Sequence, residues 1–310
     1  MSRIVVATSK PEATRHWLSV MQAALPEFEI VGWEPGEPAT GARYAIVWAP
    51  PKDFFDQEKN LEALFNLGAG VDALIALPNL PDIPLFRLQD AGMAAQMTEY
   101  VVHHLASLSR GFSTYAQQQR QSHWEQLSPP NYANWPVGVM GLGKLGSHVA
   151  QELAKLGYPV AGWARSHRQV DGVEIFHGAA QFEKFLSRSR VLINLLPLTD
   201  DTRGIINHEL LASLMPDSVI INIARGGHVV DDDLLKALNS GRIQLAVLDV
   251  FNQEPLPAEH PYWSHPKVRV TPHVAAVTLD DQAAVQISRG IRSLAQGQMP
   301  GGLVRRDIGY

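Results

Sequence analysis

Val137-Gly138-Val139-Met140-Gly141-Leu142-Gly143-Lys144-Leu145-Gly146 is the stretch whose reading decides the fold. An apolar run of strand length breaks into Gly141, Gly143 and Gly146, and Ser147 to Ala154 then follow at helical spacing, ending near Gly157. The pattern predicts strand, glycine turn, helix. In such a turn the first glycine takes a backbone conformation closed to side chains, the second lets a pyrophosphate approach the main chain, and the third permits close helix–strand contact. The helix start then offers unpaired N–H groups to an anion. A further strand at Pro159 to Trp163 completes the β-α-β context in which G-x-G-x-x-G binds a dinucleotide.

Downstream of this unit, strands are predicted at Val191 to Leu195, Val219 to Ile223, Leu245 to Val250 and Val268 to Thr271, with helices at Ala180 to Phe185, His208 to Met215 and Asp232 to Ser240. Roughly six strands with intervening helices match the doubly wound α/β dinucleotide (Rossmann) fold. Upstream, Ile4 to Ala7, Phe28 to Trp33, Tyr44 to Trp48 and Leu85 to Arg87 read as strands, and Glu12 to Leu25 and a segment around Leu61 to Phe65 as helices. This is a smaller parallel-sheet α/β unit without a phosphate turn. Its Leu67-Gly68-Ala69-Gly70-Val71-Asp72 stretch reads as a turn exposing backbone N–H groups before another helix, or as a plain strand-to-helix loop.

Between the units, Ala94 to Leu108 has Met97, Tyr100, Val101, His104, Leu105 and Leu108 on one side of a long helix. Gly111 to Trp135 follows as a polar extended arm carrying the His123-Trp124 pair, a form suited to an interface. Leu279 to Gln296 is the last helical pattern.

The chain has 310 residues, room for two domains with separate cores, and its 45% hydrophobic and 18% charged content is that of a soluble globular protein. A formal charge of −5 without a basic stretch argues against nucleic acid as a partner. The absence of cysteine excludes disulfides, thiolate metal sites and thiol nucleophiles. The histidines lack metal-ligand spacing. Met1 to Ala7 reads as a strand rather than a signal peptide and no run reaches membrane-span length, so a cytoplasmic location is expected.

The second strand of a NAD-binding unit ends in a carboxylate that takes the ribose hydroxyls. Here it ends Trp163-Ala164-Arg165-Ser166-His167-Arg168. Arg165 and Arg168 suit a 2′-phosphate and Ser166 can donate to it, which favours NADP(H) over NAD(H). The plain alternative is a pair of arginines on an exposed loop. Three more segments follow predicted strands, where open α/β sheets place ligands: Ile223-Ala224-Arg225-Gly226-Gly227, Leu248-Asp249-Val250-Phe251 and Thr271-Pro272-His273-Val274-Ala275-Ala276. Reducing a 2-keto acid needs a cation for the carboxylate and polarised carbonyl and an acid for the developing alkoxide. Arg225 suits the first role and His273 the second. A carboxylate bonded to an imidazole fixes its tautomer, which makes Glu254 the natural partner of His273.

Gly141 to Gly146, Leu196-Pro197-Leu198-Thr199 with Thr202, Ile223 to Gly227, Leu248 to Phe251, Glu254-Pro255-Leu256 and Thr271-Pro272-His273 together resemble the D-isomer-specific 2-hydroxyacid dehydrogenases over nearly the whole chain. The resemblance implies that Arg225, Glu254 and His273 are the catalytic arginine, glutamate and histidine. It implies a cofactor lying along Gly141, Leu142, Gly143, Lys144, Leu145 and Gly146, then Leu196, Pro197, Thr202, Ile223 and Ala224, with Asp249 beside the nicotinamide carboxamide. Backbone N–H groups near Ala69, Gly70 and Val71 would hold the substrate carboxylate, and Trp48 would line the substrate pocket unless it belongs to the core. The implied fold is discontinuous, with a flavodoxin-like substrate domain of residues 1–96 and 279–310, a Rossmann cofactor domain of residues 97–278, and the Ala94 to Leu108 helix crossing between them. A homodimer through the cofactor domain and the 111–135 arm is expected. Trp163 to Ser166 and Pro272 to Ala276 are most similar to the members that reduce glyoxylate and hydroxypyruvate with NADPH. Two alternatives stay open: an NAD(P)-dependent enzyme for a bulkier 2-keto acid, and a nucleotide-sensing scaffold of the same fold, which the lack of long partner-binding extensions disfavours.

Overall fold

A computed structural model describes residues 2–310. In chain order it contains β1 (Arg3–Thr8), α1 (Pro11–Ala24), β2 (Glu29–Gly32), β3 (Tyr44–Trp48), α2 (Phe54–Gln57), β4 (Ala63–Asn66), α3 (Asp72–Ile75) and β5 (Leu85–Arg87). Then come α4 (Met93–Ser109), α5 (Phe112–Arg120), β6 (Val137–Met140), α6 (Lys144–Lys155), β7 (Val160–Ala164), β8 (Val173–His177), α7 (Phe182–Ser187) and β9 (Val191–Asn194). The chain continues through α8 (His208–Ser213), β10 (Ser218–Asn222), α9 (Asp231–Asn239), β11 (Ile243–Leu248), β12 (Val268–Val270) and α10 (Asp280–Ala295). It forms two compact units, Met1–Gly92 with Thr278–Tyr310, and Met93–Val277.

In the first unit five parallel strands run in the order β2-β1-β3-β4-β5, the flavodoxin-like order. Ile4 to Ala7, Tyr44 to Val47 and Ala63 to Asn66 are buried, as expected where both faces of a parallel sheet are covered and strands lose their polar alternation. That loss corrects the helix expected around Leu61 to Phe65. Residues 63–66 are a strand, pairing Leu64 with Ala45 on one side and with Leu85 on the other. A short apolar run carries no period that separates strand from helix. On one face α10 buries Ala283, Ala284, Ile287 and Ile291 at helical spacing. Gly290 leaves room for Phe65, since a Cβ there would lie 2.8 Å from Cε1 of the ring. Asp280 and Asp281 in the first turn oppose the helix dipole.

The second unit is a seven-stranded parallel sheet in the order β12-β11-β10-β9-β6-β7-β8. Strand order reverses at β6, which lies between β7 and β9, and such a switch point is where doubly wound sheets bind ligands. Neighbouring residues of each strand feed opposite cores, as the two-residue pleat requires. Val139, Ile193, Ile221 and Val247 pack with Val149 and Leu153 of α6 and with Val101 and Leu105 of α4. Met140, Leu192, Ile220 and Leu248 pack with Phe185, Leu210 and Leu234. Each of these larger side chains contributes about 1.5–3 kcal/mol by leaving water.

Two features of this unit differ from the expectation. β8 is a seventh strand at the sheet edge, and only Phe176 of its five residues is buried, so its apolar signal is weak. The 111–135 arm begins as a helix, α5, rather than as extended chain. No residue of α5 is buried, yet Tyr115 is fixed by accepting the Leu127 N–H on its hydroxyl at 2.9 Å. Trp124, beyond α5, is fully exposed. Among the described residues no helix is long and apolar enough to cross a membrane.

Candidate active site

The glycine turn leaves β6 at the switch point. Gly141 has φ +96° and donates its N–H to the Trp163 carbonyl at 2.9 Å, and a side chain there would press to 2.6 Å on the Leu195 carbonyl. At Gly146, inside α6, a Cβ would collide with the Gly141 carbonyl. The protein's own packing therefore accounts for two of the three glycines. Gly143, the N-cap of α6, is different: a Cβ there meets nothing within 4 Å. The space in front of the helix start is open, as a pyrophosphate lying against it requires.

β7 ends at the buried Ala164, and Arg165, Ser166 and Arg168 stand exposed beyond it. No carboxylate occurs between β7 and Asp171. A nucleotide held at the Gly141 turn would thus meet cations at the next strand end rather than an acid.

Asn194 and Asn222, the last residues of β9 and β10, are fully buried and bonded to each other, Nδ2 of Asn194 donating to Oδ1 of Asn222 at 3.0 Å. Asn194 Oδ1 accepts the Leu196 N–H at 3.2 Å, and Asn222 Nδ2 donates to the Arg225 carbonyl at 2.9 Å. These two amides shape the loops carrying Leu196, Pro197, Ile223, Ala224 and Arg225. The Thr202 hydroxyl donates to the Pro197 carbonyl at 2.7 Å, so it fastens its own loop. His228 is fully buried, with Nδ1 3.0 Å from the Arg225 carbonyl and Nε2 3.2 Å from the Pro197 carbonyl, tying the two loops together. The sequence reading passed over Asn194, Asn222 and His228. The only local signal of Asn194 and Asn222 is a polar residue at the end of an apolar run, and His228, after Gly226-Gly227, has none.

Asp249 follows β11 and is 1% exposed. Its Oδ1 accepts the Thr271 hydroxyl at 2.7 Å and the Val274 N–H at 2.8 Å, and its Oδ2 the Ala275 N–H at 2.9 Å. The Thr271 proton being committed to Asp249, Tyr100 must donate its own hydroxyl to Thr271, at 2.6 Å. Burial pushes the Tyr100 phenol up to about 12, which keeps that donor in place. Asp249 thereby clamps the loop after β12.

That loop carries His273 in the left-handed region, φ +56°, with its N–H donating to the Asp249 carbonyl at 2.9 Å. Non-glycine residues held there concentrate at functional sites. The ring is partly exposed, and its Nδ1 lies 2.7 Å from Oε2 of Glu254. Oε1 of the same carboxylate accepts the Phe251 N–H at 2.9 Å. Because a carboxylate only accepts, Nδ1 carries a hydrogen and Nε2 is left for chemistry. Arg225 follows β10, two strands from β12, roughly 10 Å at ordinary strand spacing. Its Nη1 donates to the Ala224 carbonyl at 2.7 Å.

In the first unit, the 67–72 turn follows β4, and Ala69 and Gly70 are partly exposed. Trp48 is 43% exposed rather than part of the core. Its ring lies against Gly68, where a Cβ would strike it.

Residues 102–275 match the family described as D-isomer specific 2-hydroxyacid dehydrogenase, NAD binding domain. The chain is 45% identical over 300 residues to a glyoxylate/hydroxypyruvate reductase A of Serratia proteamaculans, covering 95% of this chain and 96% of that protein. Among solved structures it resembles a D-isomer specific 2-hydroxyacid dehydrogenase of Xanthobacter autotrophicus in complex with NADPH and MES, with 39% identity, a TM-score of 0.93, and 100% and 99% of the two chains covered. It also resembles an NADPH-dependent glyoxylate/hydroxypyruvate reductase of Sinorhizobium meliloti in complex with NADP and sulfate, with 38% identity, a TM-score of 0.92 and both chains fully covered.

Proposed function

The chain belongs to the D-isomer specific 2-hydroxyacid dehydrogenase family, and from that premise we propose that it reduces glyoxylate and hydroxypyruvate to glycolate and D-glycerate at the expense of NADPH. The observation that carries the reading is the His273–Glu254 pair, set two strands from Arg225 along the sheet edge on which the Gly141 turn opens.

NADPH, when bound, supplies the hydride for the keto carbon. The open space at Gly143 and the α6 start suit its pyrophosphate, and Arg165, Ser166 and Arg168 would hold its 2′-phosphate. The NADPH and NADP complexes of the Xanthobacter and Sinorhizobium relatives support this preference. Leu196, Pro197, Ile223 and Ala224 offer backbone and apolar surface beyond the turn, and Thr202 keeps the Pro197 loop in shape.

Arg225 pairs with the substrate carboxylate and polarises the carbonyl. His273 gives the Nε2 proton to the oxygen as it gains charge, while Glu254 holds Nδ1 and so the ring orientation. Asp249 fixes the backbone from which His273 projects. In the first unit, the N–H groups of Ala69, Gly70 and Val71 offer an anchor for a substrate carboxylate, and Trp48 lies against the same turn. The homodimer expected through the cofactor unit and the 111–135 arm, on which Trp124 is fully exposed, is testable by the mass in solution of the wild-type chain and of Trp124→Ala.

The direct assay follows NADPH absorbance with a panel of 2-keto acids, and with NADH in parallel. Glyoxylate and hydroxypyruvate with NADPH should give the highest kcat/KM. A preference for a bulky 2-keto acid, or for NADH, would overturn the assignment.

A further inference from the structure

We propose that Asn66 and Arg87 are positioning residues for the substrate carboxylate, acting by fastening three consecutive carbonyls so that the peptide N–H groups behind them form a preset anion nest. The inference rests on reading the 69–71 turn as a carboxylate anchor. Everything it uses lies in the first unit.

Asn66 is the last residue of β4, 3% exposed, and sits in register between Val47 of β3 and Arg87 of β5. A buried amide at the end of an apolar strand costs stability unless its hydrogens are used. Here both are. Nδ2 donates to the Gly68 carbonyl at 3.0 Å and to the Gly70 carbonyl at 2.9 Å. The carbonyl between them, that of Ala69, accepts from Nη1 of Arg87 at 3.3 Å. The Gly68 carbonyl also takes the Leu88 N–H at 3.1 Å.

In a trans peptide the carbonyl of one residue and the N–H of the next point in opposite directions. Fastening the carbonyls of Gly68, Ala69 and Gly70 therefore turns the N–H groups of Ala69, Gly70 and Val71 away from Asn66 and Arg87. Among the described residues none of these three N–H groups has a hydrogen-bond partner. Successive backbone N–H groups left open in this way bind anions. Among the described residues nothing else hydrogen-bonds the Ala69 and Gly70 carbonyls, so removing the two side chains takes away the contacts that set the orientation of those peptides. The structure thus assigns Asn66 and Arg87 to preorganisation of the nest, with neither needing to touch the substrate.

The test uses the full-length chain with NADPH. For wild type, Asn66→Ala, Arg87→Met and Arg87→Lys, kcat and KM are measured for glyoxylate, the competitive inhibition constant for oxamate, and NADPH affinity by fluorescence. Asn66→Ala should raise the glyoxylate KM and the oxamate constant together by about tenfold, with kcat within about threefold and NADPH affinity unchanged. Arg87→Met should raise both constants by roughly three- to fivefold, and Arg87→Lys, which keeps a donor for the Ala69 carbonyl, should restore most of the loss. If Asn66→Ala does not fold, the Arg87 pair decides by the same criterion. Unchanged constants in a folded variant, or a fall in kcat alone, would overturn the positioning role while leaving the reductase reading intact. Failure of the wild-type chain to reduce glyoxylate would overturn the reading beneath it and this inference with it.

Discussion

Glu254 divides its carboxylate between His273 and the backbone, Oε2 lying 2.7 Å from Nδ1 of the imidazole and Oε1 accepting the Phe251 N–H at 2.9 Å. The second contact fixes the carboxylate plane, so the first fixes the ring. Glu254→Gln keeps the shape and can keep the Phe251 contact, but it removes the charged acceptor facing Nδ1. Its kcat should fall by about 10²-fold, with NADPH affinity within about twofold of wild type. Stopped-flow and fluorescence titration separate the two quantities. A wild-type kcat would show that the pair is only structural.

At the end of β7 the absence of any acid before Asp171 matters as much as the presence of Arg165. Arg165→Asp brings a carboxylate to the place where a ribose with free hydroxyls is usually recognised and where a 2′-phosphate is repelled. The KM for NADPH should rise by about 10- to 100-fold and that for NADH should fall, measured with one keto acid at saturation. An unchanged ratio of the two cofactors would place the 2′-phosphate elsewhere.

His104 in α4 predicts a pH dependence of stability. It is 6% exposed, its Nδ1 accepts from Nη1 of Arg269 at 3.3 Å, and the His103 and Tyr100 rings pack edge-on against it. Burial first, then the charges of His103 and Arg269, push it from 6.5 down to about 4. Below pH 6.5 the unfolded chain binds a proton that the folded chain refuses. The contribution is therefore complete above about 6.5 and is lost as pH falls towards 4, by about 3 kcal/mol at most. His104→Asn, a neutral acceptor for Arg269, should flatten the fall in urea midpoint between pH 7.5 and 4.5. An equally steep fall in that variant would assign the acid sensitivity to other groups.

The strand ends were legible because their signals are local. A glycine turn between an apolar run and an amphipathic segment identifies β6 and α6, and Arg225, Asp249 and His273 each follow an apolar run by one to three residues. What could not be read depends on contacts distant in sequence. Ala63 to Asn66 is a strand because β3 and β5 flank it, and nothing in its own four residues says so. The left-handed backbone of His273 comes from its hydrogen bond to Asp249, 24 positions earlier. Asn194 bonds Asn222 only because β9 and β10 are neighbours. Asn66 shows the same limit, since its sequence context is merely an amide before a glycine-rich turn.

The central claim, that the Nε2 proton of His273 goes to the keto oxygen during reduction, is tested most directly by His273→Ala in the presence of NADPH. Loss of the proton donor should lower kcat for glyoxylate by about 10²- to 10⁴-fold while NADPH affinity stays within about twofold of wild type. Turnover near the wild-type rate, with cofactor bound normally, would contradict the account.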